Sequence, residues 1–281
     1  MTLATAPEVR PRSGSARRRR AGWPGTLRSE VTKIISVRST YWTLALLVLA
    51  SVVWSVVYCA GTAAHWPHMS AQSRAGFDPT QSAVIGLVLL GQLVIAVLGA
   101  LTITAEYSTQ SVRTSLTVMP RRGILFGAKA AVFAAVAVAV AFPTSFLAWL
   151  VGQRLLASTH AQATLGQPNV LRAVLASAIF VVLCGLFSYG LGAVLRSTAG
   201  TIAAAFGFLF LLPQLARTLP TPWYDDVIRW LPGGQFDAAI STSGPPVSAH
   251  LFAAWGELAV FGGYTAVLLI AGAVLLRRRD A

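Results

Sequence analysis

Charge is what this sequence has least of. Asp, Glu, Lys and Arg make up 11% of its 281 residues, where a soluble domain carries roughly a quarter. That shortfall excludes an ordinary soluble enzyme. Acidic residues are scarcest, 9 against 22 Lys and Arg. A formal excess of +13 suits nucleic acid only where it forms a water-facing basic surface. Here the basic residues stand between long apolar runs, which points to loops beside lipid headgroups and away from nucleic acid. Cysteine is nearly absent. Cys59 and Cys184 are too few for a disulfide framework and are read as small buried packing residues.

Catalytic and metal signatures are missing as well. The nearest approach to a phosphate loop is Gly123, Gly127 and Lys129, followed by Ala130. The spacing is wrong and the hydroxyl that would hold magnesium is lacking, so Lys129 is read as a snorkelling interface residue. Ser188 has Gly190 two residues on, but Leu186 stands where a nucleophile elbow needs glycine. His65, His68, His160 and His250 fall in loops or at their edges, and the pair His65 and His68 does not complete a zinc shell. No charge stands convincingly in the middle of an apolar run, which argues against a proton-coupled carrier. Glu106 closes the second run and Glu257 opens the sixth. No catalytic residue and no metal site is expected.

What is abundant is hydrophobicity, 55% of residues with a mean hydropathy of +0.66. A helix needs about 20 mostly apolar residues to cross the hydrocarbon core. Six stretches qualify, roughly 41–60, 82–105, 128–151, 173–195, 199–216 and 255–276. With the N-terminus in the cytoplasm, an even number of spans returns the C-terminus there. Basic residues before the first span, around the second-to-third loop, at Arg196 and at Arg277 to Arg279 then lie inside. Only Arg74, Arg154, Arg172, Arg217 and Arg229 lie outside, as the positive-inside rule requires. The basic opening is too long for a signal peptide, and Tyr58 before Cys59 does not suit a lipoprotein cleavage site. The fold class is therefore an all-α, multi-pass membrane protein with six spans. The expectation is a disordered basic arm over residues 1–22 and a single six-span transmembrane domain over 23–281.

Three segments between spans carry a pattern. Leu27, Val31, Ile34 and Ile35 share one helix face, with Arg28, Ser29, Lys33 and Ser36 around the other side. This predicts an amphipathic helix lying in the interface before span one, with Glu30 and Lys33 able to pair. From Glu106 to Gly123, Val112, Leu116 and Met119 repeat at i, i+4 and i+7 beside a polar face, and Pro120 and Gly123 end the run. It is a short cytoplasmic helix suited either to a groove on another protein or to the lipid surface. After span five, Thr221-Pro222 starts a helix whose Trp223, Val227, Trp230 and Leu231 line one face. Tryptophans so spaced suit the headgroup belt, and the segment is read as an outer interfacial or re-entrant helix. Glycines at Gly86/Gly91, Gly185/Gly190/Gly192 and Gly262/Gly263 allow close helix approach, within the bundle or across a dimer.

In their order and spacing these parts resemble the type-2 ABC transporter permeases of bacteria. The resemblance runs from about Leu27 to the end. It is carried by LRSEVTKIISVRSTYWTL (Leu27 to Leu44), AEYSTQSVRTSLTVMPRR with Lys129 following, LGAVLRSTAGTIAA (Leu191 to Ala204) and the close on LLRRRDA. It implies a permease subunit in a bacterial plasma membrane, an exporter without enzyme activity of its own. A separate ATPase subunit would hold the ATP and magnesium, and a second permease chain, identical or related, would share the path. On this chain the ATPase contacts would be Glu30, Lys33, Glu106, Tyr107, Arg113 and Leu116, with Val112 and Met119 from the apolar stripe. Trp223 to Leu231 would cap the outer end of the path. The rivals are a non-transporting six-span anchor or sensor for a partner protein and, less consistent with these residues, a membrane-embedded enzyme. Loop composition does not separate drug, peptide, lipid or ion as cargo.

Overall fold

A computed structural model describes residues 27–29, 31–32, 38–108, 122–220, 223–228, 230–231, 239–242 and 254–278. Every regular element among them is a helix. Six are long and apolar enough to cross a membrane: span one Arg38–His68, span two Pro79–Ala105, span three Leu125–Thr159, span four Val170–Leu195, span five Thr198–Ala216 and span six Trp255–Leu276. Spans one and three outrun the apolar stretches that forecast them. Hydropathy marks only the length needed in hydrocarbon, whereas helical hydrogen bonding continues into the polar flanks until a cap or a breaker stops it.

Those stops are local. Asp78 caps span two, its carboxylate accepting from the backbone N–H groups of Thr80 and Gln81, and Pro79 occupies the first turn, where its missing N–H costs nothing. The turn between spans four and five needs only Arg196 and Ser197. Arg196 takes the left-handed conformation at φ 55° and its N–H donates to the Gly192 carbonyl. Ser197 then caps span five by accepting from the N–H of Gly200. Two spans are broken by a π turn near their middle, Leu87–Gly91 in span two and Gly207–Leu211 in span five. In span five the cause follows directly: Pro213 cannot donate to Leu209, and the wider turn absorbs the clash.

Pairs of touching residues give the topology. Span one runs against span two, with Gly86 on Trp54 and Gly91 near Ser51. Span three is antiparallel to span two, since the Lys129 ammonium reaches the Thr102 carbonyl at 3.5 Å and Gln153 Nε2 donates to the Pro79 carbonyl at 3.0 Å. Span four is parallel to span two, where a Cβ on Gly99 would lie 2.2 Å from the Gly185 carbonyl oxygen. Span six is parallel to span four, through Gly190 against Leu268 and Gly272 against Ala193. Hence Arg38 and Arg278 stand at one end, together with Lys129 and Arg196. That end is called the basic end below. Asp78, Arg172 and Glu257 stand at the opposite end.

Span four is the most buried of the six and spans one and six the least. It forms the axis, with Phe187 stacked on Phe208 of span five and tilted on Phe261 of span six. Tyr189 stacks on Phe133 of span three and donates its hydroxyl to the Phe126 carbonyl. Hydroxyl bonds supplement this packing: Ser55 donates to the Ala148 carbonyl across spans one and three at 2.7 Å, and Ser145 meets Ser177 across spans three and four at 2.7 Å. Cys59 and Cys184 are buried and free. Lys129 is only 6% exposed. The expectation of a snorkelling ammonium is corrected: its nitrogen turns to a neighbouring span, because the antiparallel partner offers a carbonyl there. Exposed indoles mark both ends, Trp42 at the basic end and Trp223, Trp230 and Trp255 at the other.

Candidate functional site

The densest polar construction among the described residues lies at the end opposite the basic one, where five distant parts of the chain meet. Asp78 is 6% exposed. Besides capping span two, its carboxylate accepts from the Thr242 hydroxyl at 2.9 Å on Oδ1 and from the Thr242 backbone N–H on Oδ2. Arg172, in the first turn of span four, donates from one terminal nitrogen to the Ser241 carbonyl at 2.8 Å and from the other to the Ala239 carbonyl at 3.4 Å. The short segment Ala239–Thr242 is thus gripped from two sides, by an anion on its N–H and hydroxyl and by a cation on its carbonyls. Glu257, 3% exposed in the first turn of span six, stands at the same end of the bundle. Gln153 completes the set. Its Nε2 holds the Pro79 carbonyl, and its Oε1 accepts from the N–H of Ala163 at 2.7 Å.

Charge-assisted bonds of this kind are about twice as strong as neutral ones. The arrangement binds peptide backbone and joins spans two, three and four with the segment Ala239–Thr242. Among the described residues no group of three or more His, Cys, Asp or Glu could hold a metal ion. Sequence reading missed it as a unit. Asp78, Gln153, Arg172 and Glu257 were visible as polar residues at or near the ends of spans; their convergence with Thr242 was not, because positions 78, 153, 172, 242 and 257 meet only in three dimensions.

A second feature lies deep in the bundle. Gln92 stands midway along span two, about 20 Å of helix from either end, directly after the π turn. It is 3% exposed and its amide oxygen has no hydrogen-bond partner. Ser188 Oγ and the indole nitrogens of Trp54 and Trp149 share that condition. Each such group costs about 1–3 kcal/mol.

The residues singled out from sequence fall as follows. Glu30, Lys33, Val112, Arg113, Leu116 and Met119 lie outside the described residues, as do the side chains of Glu106 and Tyr107, whose backbone closes the helix Gln92–Ser108. Trp223 and Val227 lie on the six-residue helix Trp223–Ile228. They face outward with Trp230 just beyond it, Leu231 is half-buried, and Ile228 is the residue buried against the bundle. The Tyr264 hydroxyl of span six donates to the Trp230 carbonyl at 3.1 Å and ties this segment down. The tryptophan face is therefore not the face packed on the bundle within one chain. No protein-family model and no curated protein matches this chain.

Proposed function

We propose that this chain is the membrane-spanning permease subunit of an ATP-binding cassette exporter in a bacterial plasma membrane. The observation that carries the reading is mechanical. Spans two and three are antiparallel neighbours tied near both ends, by Lys129 to Thr102 and by Gln153 to Pro79. The connection from Glu106 to Met119 joins them at the basic end, so a push on it displaces both as one body. A chain without a phosphate loop must receive the work of ATP hydrolysis through such a contact.

The basic end, with both termini, faces the cytoplasm. The stretch from Leu27 lies there in the interface, with Glu30 and Lys33 toward the ATPase. Glu106, Tyr107, Val112, Arg113, Leu116 and Met119 form the coupling contact, the apolar stripe in the partner's groove and Arg113 on an acidic rim. A second permease chain completes the path. Trp223, Val227, Trp230 and Leu231 form its outer gate, the outward indoles lying in the headgroup layer. ATP and magnesium belong to the ATPase subunit.

The test is Leu116→Asp. Truncating a buried interface anchor costs about 2 kcal/mol or more, so this variant releases or uncouples the ATPase while the six spans still insert. Co-purification with the ATPase at the wild-type ratio, together with wild-type transport, would place the coupling elsewhere.

A further inference from the structure

We propose that Thr104 and Thr198 clasp the end of span two to the basic-end arm of span five, Thr198–Phe206, so that the two move as one body about the π turn Gly207–Leu211. The joint is built on a notch in span four. A Cβ on Gly192 would lie 2.6 Å from Ile103 Cγ2, 3.3 Å from Thr104 Cγ2 and 3.5 Å from Thr201 Cγ2. The missing side chain thus lets spans two and five close over span four. Across the notch the Thr198 hydroxyl donates to Thr104 Oγ1 at 2.8 Å, and the Thr104 hydroxyl donates in turn to the Ala100 carbonyl of its own helix at 2.9 Å. With its proton committed to Ala100, Thr104 meets Thr198 as an acceptor. Thr104 is 2% exposed, so water does not compete for this bond, and hydroxyls chained in such surroundings polarise one another. Span five is stiffened at the same place: the Thr201 hydroxyl donates to the Ser197 carbonyl, and the Ser197 hydroxyl accepts from the Gly200 N–H.

Beyond that arm the backbone of span five is weaker. Pro213 removes one donor from the helical ladder, the π turn widens it, and nothing lies within 4 Å of a Cβ position on Gly207. Helices bend at such places. What the π turn offers to the bundle is an aromatic ring: Phe208 stacks on Phe187 of span four and lies edge-on to Tyr264 of span six. These contacts carry no directed hydrogen bond. Span five is therefore fastened by a directed bond at its basic end and by ring faces at its bend. The use of this joint rests on the reading of the connection from Glu106 as the coupling contact. Thr104 stands two residues before Glu106, so a push on the connection reaches Thr104 and, through Thr198, the arm of span five. The other end of span five leads along the chain to Trp223–Ile228, the segment of the outer gate.

The experiment measures distance distributions by pulsed electron resonance between nitroxide pairs on the full chain in lipid nanodiscs, with Cys59 and Cys184 replaced by Ala. One pair, Leu101→Cys with Ala203→Cys, spans the joint. The other, Ala203→Cys with Leu215→Cys, spans the π turn. All three positions are exposed, so the labels displace no packed side chain. The joint pair is expected to give a distribution at least about twofold narrower than the π-turn pair, as a rigid contact does beside a hinge. Thr198→Val, which removes the donor and keeps the shape, should widen the joint pair to roughly the width of the other, and Thr198→Ser should restore the narrow distribution. A joint pair as wide as the π-turn pair in the background protein overturns the proposal. So does a joint pair that Thr198→Val leaves unchanged, or one that Thr198→Ser leaves as wide as Thr198→Val does. Where Thr198→Val yields no folded protein, the comparison of the two pairs in the background protein decides. Both widths belong to the chain alone. An ATPase that fails to co-purify would therefore remove the reading of the connection as a coupling contact and leave the joint standing, whereas equal widths would remove the joint and leave that reading.

Discussion

Glycine at position 99 is required by its neighbour. The Gly185 carbonyl of span four occupies the space a side chain would take, and Gly185 is itself pressed by Ile95 and Phe133, each 2.9 Å from where its Cβ would stand. Gly99→Val should destabilise the protein by ~1–3 kcal/mol, the usual range for overpacking, read as a lower midpoint of thermal unfolding in detergent. Gly263 is the control. Nothing lies within 4 Å of its Cβ position, and Gly263→Ala should be neutral or stabilising by up to about 1 kcal/mol. Gln92 makes a prediction of opposite sign. Gln92→Leu keeps the volume and removes an unpartnered buried amide, so the unfolding midpoint should rise by the equivalent of ~1 kcal/mol. A fall would show that the amide has a partner in the folded protein. At this scale the sequence displays the glycines without ranking them: the pair Gly262 and Gly263 looks as suited to helix packing as Gly185 and Gly190, yet only the latter two meet another span.

Among the elements, span four is the one the others are built on. Its bond to span three through Ser145 and Ser177 is a hydroxyl contact of the kind worth ~0.6 kcal/mol on average between membrane helices. Ser177→Ala should therefore cost about that much and no more, by the same unfolding assay. The helix Trp223–Ile228 is a different case. Its bundle contact is Ile228 and its tryptophans face out. If these indoles anchor the segment in the headgroup belt, replacing Trp223 and Trp230 together by Asp should lower the yield of membrane-integrated protein at least twofold, because both anchors are lost. An unchanged yield would make the segment a solvated loop. Thr221-Pro222 and the tryptophan spacing predict a helix here, and the described part of it is the six residues Trp223–Ile228. Which side it buries was not legible, because Ile228 and the tryptophans are alike apolar and the choice rests on what span six presents.

For the whole molecule the decisive fact is the alternation of the spans, which brings Arg38 and Arg278 to one end of the bundle. Single cysteines at Ser13, His68, Thr117 and Ser243, in a variant lacking Cys59 and Cys184, should react with an impermeant thiol reagent in intact cells only at His68 and Ser243. Labelling at Thr117 would reverse the assignment of the basic end to the cytoplasm. Detergent-opened cells supply the comparison, since there all four sites should react.

The number of spans and the regions they occupy were determined by the sequence alone, for a physical reason. Crossing hydrocarbon is a condition on length and hydropathy that each segment meets by itself, with its backbone hydrogen bonds satisfied inside the segment. Start and stop signals such as Asp78-Pro79 and Ser197 are equally local. Register between spans, the burial of Lys129 and the convergence of Asp78, Arg172, Thr242 and Glu257 were decided by the tertiary structure. Their energy comes from partners far apart in the chain, and helices of similar apolar composition offer many registers in which a pair could pack. The contacts that select among them, Gly99 on Gly185 and Gln153 on Pro79, exist only once the bundle has closed.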